Sequence, residues 1–356
     1  MDKTLLLDSR PELAKRDRGG MLSILGRFDQ QLSEALTVAG ALSIPSGRPV
    51  SKIILLGLGG SAIGGDLVRA YLGSDLGIPF IVSRGYSVPG WVDENTLAVV
   101  SSYSGNTEET LSAMESAVET GAFCVTMTSG GELERIARRD DLPLVPFPEG
   151  QPPRTALPFS FVGLLAVLEA LGFVEGRLAD VEASLEWVSG RMQVLGPDNP
   201  SPENPAKSLA LQLYGRIPVV YGSQERLSLV ARRWAAQFSE NAKVLAYSSE
   251  LPEMNHNEIV GWEHPADGLE WLVPVFLRDQ DDHPRLQIRI EITGEILRGR
   301  VDPVLECWSS GETWLERLWA LILLGDHASL YLALLNREDP APVEVIESLK
   351  ARLKQY

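Results

Sequence analysis

The run SSYSGNTEET at 101–110 sets four serine and threonine hydroxyls within seven residues. Ser102, Ser104 and Thr107 can each donate to a phosphate oxygen, and Gly105 and Asn106 can add backbone N–H groups at a helix start. Ordinary N-capping by one hydroxyl, with Glu108 and Glu109 against the helix dipole, leaves the other hydroxyls without a role. The run therefore predicts a monophosphate cradle. A second loop, LLGLGGSAIGG at 55–65, passes from an apolar run through glycines into a helical pattern. Glycines let backbone N–H groups approach an anion at the positive end of a helix. Gly57, Gly59 and Ala62 also fit a relaxed dinucleotide fingerprint, G-x-G-x-x-A, which calls for an acid at the end of the next strand. That strand ends in Ser83-Arg84-Gly85, so only an NADP-type version survives, beside the plainer reading of a tight turn without ligand.

The second half carries a carboxylate and a histidine in QFSENAKVLAYSSELPEMNHNEIVGWE at 237–263. Glu240 falls near the end of a predicted helix and His256 in a turn-rich stretch. Such a pair suits a reaction in which one group moves a carbon-bound proton and another works on an oxygen. A solvated turn histidine is the alternative. His256 and Glu258 do not have metal-ligand spacing, and His264, His283 and His327 show no grouping. Arg154, in the Pro-stiffened GQPPRTALP, could stabilise a developing oxyanion with its fixed guanidinium fork, although a surface linker residue fits that stretch better. No G-x-S-x-G elbow is present, and Cys124 sits in an apolar run.

These residues need elements to position them. Short apolar runs at Ile53–Leu56, Phe80–Val82, Leu97–Val100 and Phe123–Met127 suit strands buried on both faces. Helical stretches at 61–72, 107–121 and 131–139 follow, the alternation of a doubly wound parallel sheet. Pro-dense connectors lie at 148–158 and 196–205, with helices across 159–195. The pattern then resumes: helix 205–214, strand Ile217–Tyr221, helix 225–240, strand 269–277 and two closing helices at 311–336 and 342–354. An α/β fold with two parallel sheets flanked by helices is expected.

Length and composition agree. The 356 residues suggest two domains, and 44% hydrophobic with 22% charged residues is ordinary globular chemistry. Thirty-two basic residues against 48 acidic ones give a net charge of -16, which disfavours nucleic acid as a partner. Two cysteines are too few for a disulfide framework, and no signal-peptide core is visible, so a cytoplasmic protein is expected. The apolar stretch from Trp314 to Leu335 is interrupted by Glu316, Arg317, Asp326 and His327, and reads as a buried helix without a membrane role.

With these motifs in order, the chain resembles the sugar isomerase (SIS) fold, and within it the bifunctional phosphoglucose/phosphomannose isomerases of bacteria and archaea. The resemblance covers nearly the whole chain. It rests on GLGGSAIGGD at 57–66, SSYSGNTEET at 101–110, PPR at 152–154, SENAK at 239–243, ELPEMNHNE at 250–258, the helix containing Gly325-Asp326, and DPAPVEVIESLK at 339–350. It implies a helical segment at 1–45, a first SIS domain at 46–155, a helical connector at 156–205, and a second SIS domain with C-terminal helices at 206–356. It further implies phosphate binding by Gly60, Ser61, Ser102, Ser104 and Thr107, enediolate stabilisation by Arg154, and proton shuttling between C1 and C2 by Glu240. His256 would open the sugar ring from the neighbouring subunit of a homodimer, and Lys350 would assist near the ring oxygen. No metal or redox cofactor is required. The implied reaction interconverts glucose 6-phosphate or mannose 6-phosphate with fructose 6-phosphate. A non-catalytic sugar-phosphate sensor would keep the phosphate loops without using Glu240 and His256, and an NADP-dependent reductase would leave SSYSGNT unexplained.

Overall fold

The apolar runs of the first half become strands because each can bury both faces between helices. In the computed structural model, which describes residues 3–224, 226–353 and 355, they are β1 (Lys52–Leu56), β2 (Phe80–Ser83), β3 (Thr96–Ser101) and β4 (Phe123–Thr128). A short β5 (Leu144–Pro146) completes an all-parallel sheet of order β2-β1-β3-β4-β5. In register, Ile54 pairs with Ile81 on one side and Ala98 on the other. Three short helices, α1 (Lys3–Leu7), α2 (Arg10–Arg16) and α3 (Met21–Leu25), precede α4 (Phe28–Gly40). The sheet's crossovers are α5 (Gly59–Leu72), α6 (Glu108–Glu119) and α7 (Gly131–Arg139), followed by α8 (Leu157–Ala170) and α9 (Arg177–Leu195).

The second sheet contains β6 (Ile217–Ser223), β7 (Tyr247–Leu251), β8 (Leu272–Arg278) and β9 (Leu305–Trp308), again all parallel, in the order β7-β6-β8-β9. Around it run α10 (Pro205–Leu213), α11 (Leu227–Ala242), α12 (Glu258–Gly261), α13 (Pro284–Arg298), α14 (Trp314–Leu335) and α15 (Glu344–Leu353). The strand expected at 269–277 begins only at Leu272, because Ala266–Trp271 forms a 3-10 turn. α14 is long and apolar enough to cross a membrane by length and composition, and its apolar window is buried in the protein.

Two compact units divide the chain. The first-sheet unit comprises Arg27–Ser189 with Thr313–Glu316; the second-sheet unit takes the described residues up to Gly26, Gly190–Glu312 and those from Arg317 onward. These limits differ from the cuts expected at 45, 155 and 205. The helical connector is divided because α8, buried at twelve positions from Leu157 to Leu168, is apolar all round and packs against α4 and α5. The N-terminal segment is divided because α4 joins that layer, whereas Asp8, after α1, accepts from the buried Lys207 Nζ of α10 at 3.0 Å.

Candidate active site

In both sheets the first strand is followed by an edge strand, and the chain then crosses back to the other side. Strand order therefore reverses between β1 and β3, and open α/β sheets bind ligands at the carboxyl ends of such strands. The glycine-rich turn leaves β1 and the hydroxyl run leaves β3, so both sequence motifs stand at this switch point. Neither α5 nor α6 has a side-chain cap at its N-terminus. Thr107 occupies the N-cap position of α6, but its hydroxyl meets Ser102 Oγ at 3.0 Å instead of the helix backbone. Capping does not explain the hydroxyls.

Ser102 is 1% exposed and Ser61 7% exposed. Ser61 Oγ accepts the Tyr103 N–H at 3.0 Å, which leaves its own proton to donate elsewhere. Ser104 is exposed, and its Oγ accepts from Asn106 N at 3.3 Å. The Gly105 N–H, expected to face a ligand, instead donates to Ser102 O at 3.0 Å. Gly105 has φ +65°, and a Cβ there would meet Gly130 O at 1.8 Å, so this turn requires glycine.

Arg154 sits in the 3-10 turn Pro153–Thr155 and is 4% exposed, which removes it from the surface-linker class favoured by its sequence context. The turn lies directly against the start of α5. Sequence reasoning missed Tyr103, which ties these parts together. Its N–H holds Ser61, its hydroxyl donates to Pro148 O at 2.7 Å and accepts from Gln151 N at 2.9 Å, and burial pushes its phenol up. One tyrosine thus connects the hydroxyl cradle to the loop carrying Arg154. Its place inside SSYSGNT was visible, but its partners lie more than forty residues away.

The NADP-type reading weakens here. Arg84, the residue it needs, is ion-paired with Asp66, which is 1% exposed. Cys124 is inert as a nucleophile, since burial pushes its thiol up to about 11.

In the second-sheet unit, Glu240 lies near the end of α11 and lines a cleft of about 740 Å³ with Arg18, Lys243, Arg337 and the start of α15. α11 is fixed by residues at helical spacing. Arg233 makes a bidentate pair with Asp326 of α14 at 2.9 and 2.6 Å, Gln237 donates to the same carboxylate at 3.0 Å, and Asn241 donates to Ser329 Oγ at 2.9 Å. Removing one member of such a buried pair costs about 3–5 kcal/mol, so this ladder holds Glu240's helix firmly. Lys243, in the left-handed region at φ +57°, then donates to Glu240 O and Pro342 O at 2.6 and 2.7 Å. His256 ends the 3-10 turn Glu253–His256 and is exposed. Lys350 is exposed on α15, beyond the residues that line the cleft. Neither is brought to the cleft that holds Glu240.

At the switch point of the second sheet, side chains fill the place that the hydroxyl cradle takes in the first. Asp279, fully buried after β8, pairs with Arg317 at 2.9 Å and Arg226 at 3.5 Å, and accepts from Ser309 at 2.6 Å. The two sheets share topology but not the polar groups at this position.

Comparison with known proteins extends this reading. Residues 48–171 match the SIS domain, and residues 202–353 match the bacterial phospho-glucose isomerase C-terminal SIS domain. A bifunctional phosphoglucose/phosphomannose isomerase of Caldicellulosiruptor bescii is 40% identical over 336 residues, 94% of this chain and 99% of that one. Its counterpart from Aquifex aeolicus is 36% identical over 311 residues, covering 86% and 92%. The crystal structure of a hypothetical protein from Thermus thermophilus shares the fold, with TM-score 0.74 at 18% identity over 97% of this chain and 92% of that one. The fold and both domain matches define a protein of two SIS domains. Within that class, the chain belongs to the bifunctional phosphoglucose/phosphomannose isomerase family.

Proposed function

We propose that this protein interconverts glucose 6-phosphate and mannose 6-phosphate with fructose 6-phosphate. The observation that carries the proposal is the cradle at the first switch point, where Ser61, Ser102 and Thr107 stand between two helix N-termini without side-chain caps. A phosphate held there fixes the orientation of the sugar. Glu240 removes the proton from C2 of the open-chain aldose, giving a cis-enediol whose developing oxyanion Arg154 stabilises. Return of the proton to C1 completes the transfer, and the carbonyl moves from C1 to C2 with no net gain or loss of electrons. The planar intermediate erases the configuration at C2, which accommodates both epimers.

His256, supplied by the neighbouring subunit of a homodimer, opens the ring by moving a proton at the ring oxygen, and Lys350 assists near that oxygen. The reaction needs no metal or redox cofactor, and the proposed compartment is the cytoplasm. The test is formation of fructose 6-phosphate from each aldose separately, with purified protein in EDTA and no nicotinamide in the isomerase step. Turnover of both supports the proposal; turnover of neither, with fructose 6-phosphate still raising the melting temperature, favours a sensor.

A further inference from the structure

His256 is exposed at the end of its 3-10 turn, yet the residues on both sides of it are tied to buried groups. Before it, Met254 enters the core of the second-sheet unit, and Asn255 Nδ2 donates to Thr293 Oγ1 of α13 at 2.9 Å. After it, Asn257 folds the turn on itself, its Nδ2 donating to Glu253 Oε1 at 2.7 Å and its Oδ1 accepting the Glu258 N–H at 2.6 Å. Glu258 then reaches inward, and its Oε1 accepts the Tyr221 hydroxyl of β6 at 2.5 Å. Tyr221 is fully buried, with its ring stacked on Phe276 of β8 at 5.1 Å between centroids, and its oxygen also accepts the Trp262 indole N–H at 3.0 Å.

Drawing a carboxylate out of water onto a buried phenol costs desolvation, which a glutamate on a turn avoids by pointing to solvent. Burial and the carboxylate beside it push the Tyr221 phenol up, so the hydroxyl keeps its proton and remains the donor. A hydrogen bond to an ionised acceptor is shorter and stronger than a neutral one. Trp262 already donates to the same oxygen, so the hydroxyl has one proton to give and one carboxylate to receive it. Glu258 is thereby fixed to β6, and it stands two residues after His256. So short a length of chain, with only φ and ψ soft at each residue, leaves the His256 backbone little freedom.

We infer that Tyr221, acting through Glu258, is a positioning residue for His256: the buried hydroxyl holds the turn that presents the imidazole to the sugar ring. The inference rests on the ring-opening role proposed for His256, and it gives Glu258 no proton-transfer step of its own.

The test is kcat and KM with glucose 6-phosphate for Tyr221→Phe, Glu258→Gln and Glu258→Ala, each alone and combined with His256→Ala. Sugar rings open slowly in water without a catalyst, so His256→Ala keeps a residual turnover against which the combinations are compared. Tyr221→Phe keeps the ring and loses the hydrogen bond; kcat should fall about tenfold with KM within about twofold of wild type, because the phosphate cradle is untouched. Glu258→Gln keeps an acceptor for the Tyr221 hydroxyl and should stay within about threefold of wild type, whereas Glu258→Ala should match Tyr221→Phe. In the His256→Ala background none of the three should lower kcat further, because misplacing an imidazole has no effect once it is absent. The two Glu258 variants, at a half-buried position, carry the same comparison if Tyr221→Phe does not fold. Equal losses with and without His256 overturn the inference, since they mark a general loosening of the second-sheet unit. Unchanged kcat in Tyr221→Phe and Glu258→Ala also overturns it. A Glu258→Gln enzyme as damaged as Glu258→Ala overturns it by giving Glu258 a proton-transfer role. Wild-type turnover by His256→Ala overturns instead the ring-opening reading, so the two failures are told apart.

Discussion

Replacing Gly60 by alanine tests the close packing of the Arg154 turn against the start of α5. Gly60 does not have the positive φ that would exclude alanine, so the substitution leaves the backbone conformation permissible. Its new Cβ, however, would lie 2.7 Å from Pro153 O, 2.8 Å from Pro153 C and 3.1 Å from Arg154 N. Ordinary contact begins at 3.4 Å, so the backbone of the Arg154 turn must retreat by about 0.7 Å, the difference between 3.4 and 2.7. Misplacing a catalytic group by about 1 Å can cost about 100-fold in rate. A displacement of this size is therefore expected to lower kcat by about 10- to 100-fold, or roughly 1.4–2.7 kcal/mol of transition-state stabilisation. The assay is steady-state conversion of glucose 6-phosphate, run well below the melting temperature because overpacking also costs about 1–3 kcal/mol of stability. Gly77→Ala is the control, since nothing lies within 4 Å of the position its new methyl would take. A Gly60→Ala enzyme with kcat within twofold of wild type would refute the argument that this close approach positions Arg154.

Three further outcomes are expected. Glu240→Gln should lose isomerisation by several orders of magnitude while fructose 6-phosphate still raises the melting temperature; near-normal turnover removes Glu240 as the base. Mixed Glu240→Gln and His256→Ala chains should regain partial activity, because one hybrid site of the proposed dimer would hold both native residues. Failure after demonstrated subunit exchange would place both groups on one chain. Burial pushes His327 from its ordinary 6.5 down to about 4, with its Nδ1 2.8 Å from Leu323 O, so the fold holds it neutral where the unfolded chain protonates it. Unfolded chains then bind the extra proton between pH 6.5 and 4, and stability must fall as pH falls through that window. Lowering pH from 7 to 5 should cost wild type about 2 kcal/mol more than His327→Gln in urea melts. Equal slopes for the two proteins would show that His327 does not contribute.

The α/β pattern was legible because strands buried on both faces are written as continuous apolar runs, and β1 to β4 begin and end within a residue of them. β5, β7 and β9 were not legible. β5 and β9 have three and four residues, too short to stand out as strands, and β7, YSSEL, is an edge strand with Tyr247 and Ser248 exposed, so it carries no apolar run. α13 was missed for a related reason: apolar residues on both its faces blur the single stripe of an amphipathic helix.

Residue types and their order along the chain settled which groups are available for chemistry: two glycine- and hydroxyl-rich turns after buried strands, a carboxylate on a helix and a histidine in a turn. Local spacing carries that information because a strand followed by a turn and a helix start is a local event. Tertiary structure alone decided that the two turns share one switch point, that Thr107 meets Ser102 instead of capping α6, and that Arg154 is buried against the start of α5. It also decided that Arg84 is committed to Asp66. Each depends on residues brought together from distant positions, and no local pattern encodes which distant neighbour a side chain will meet.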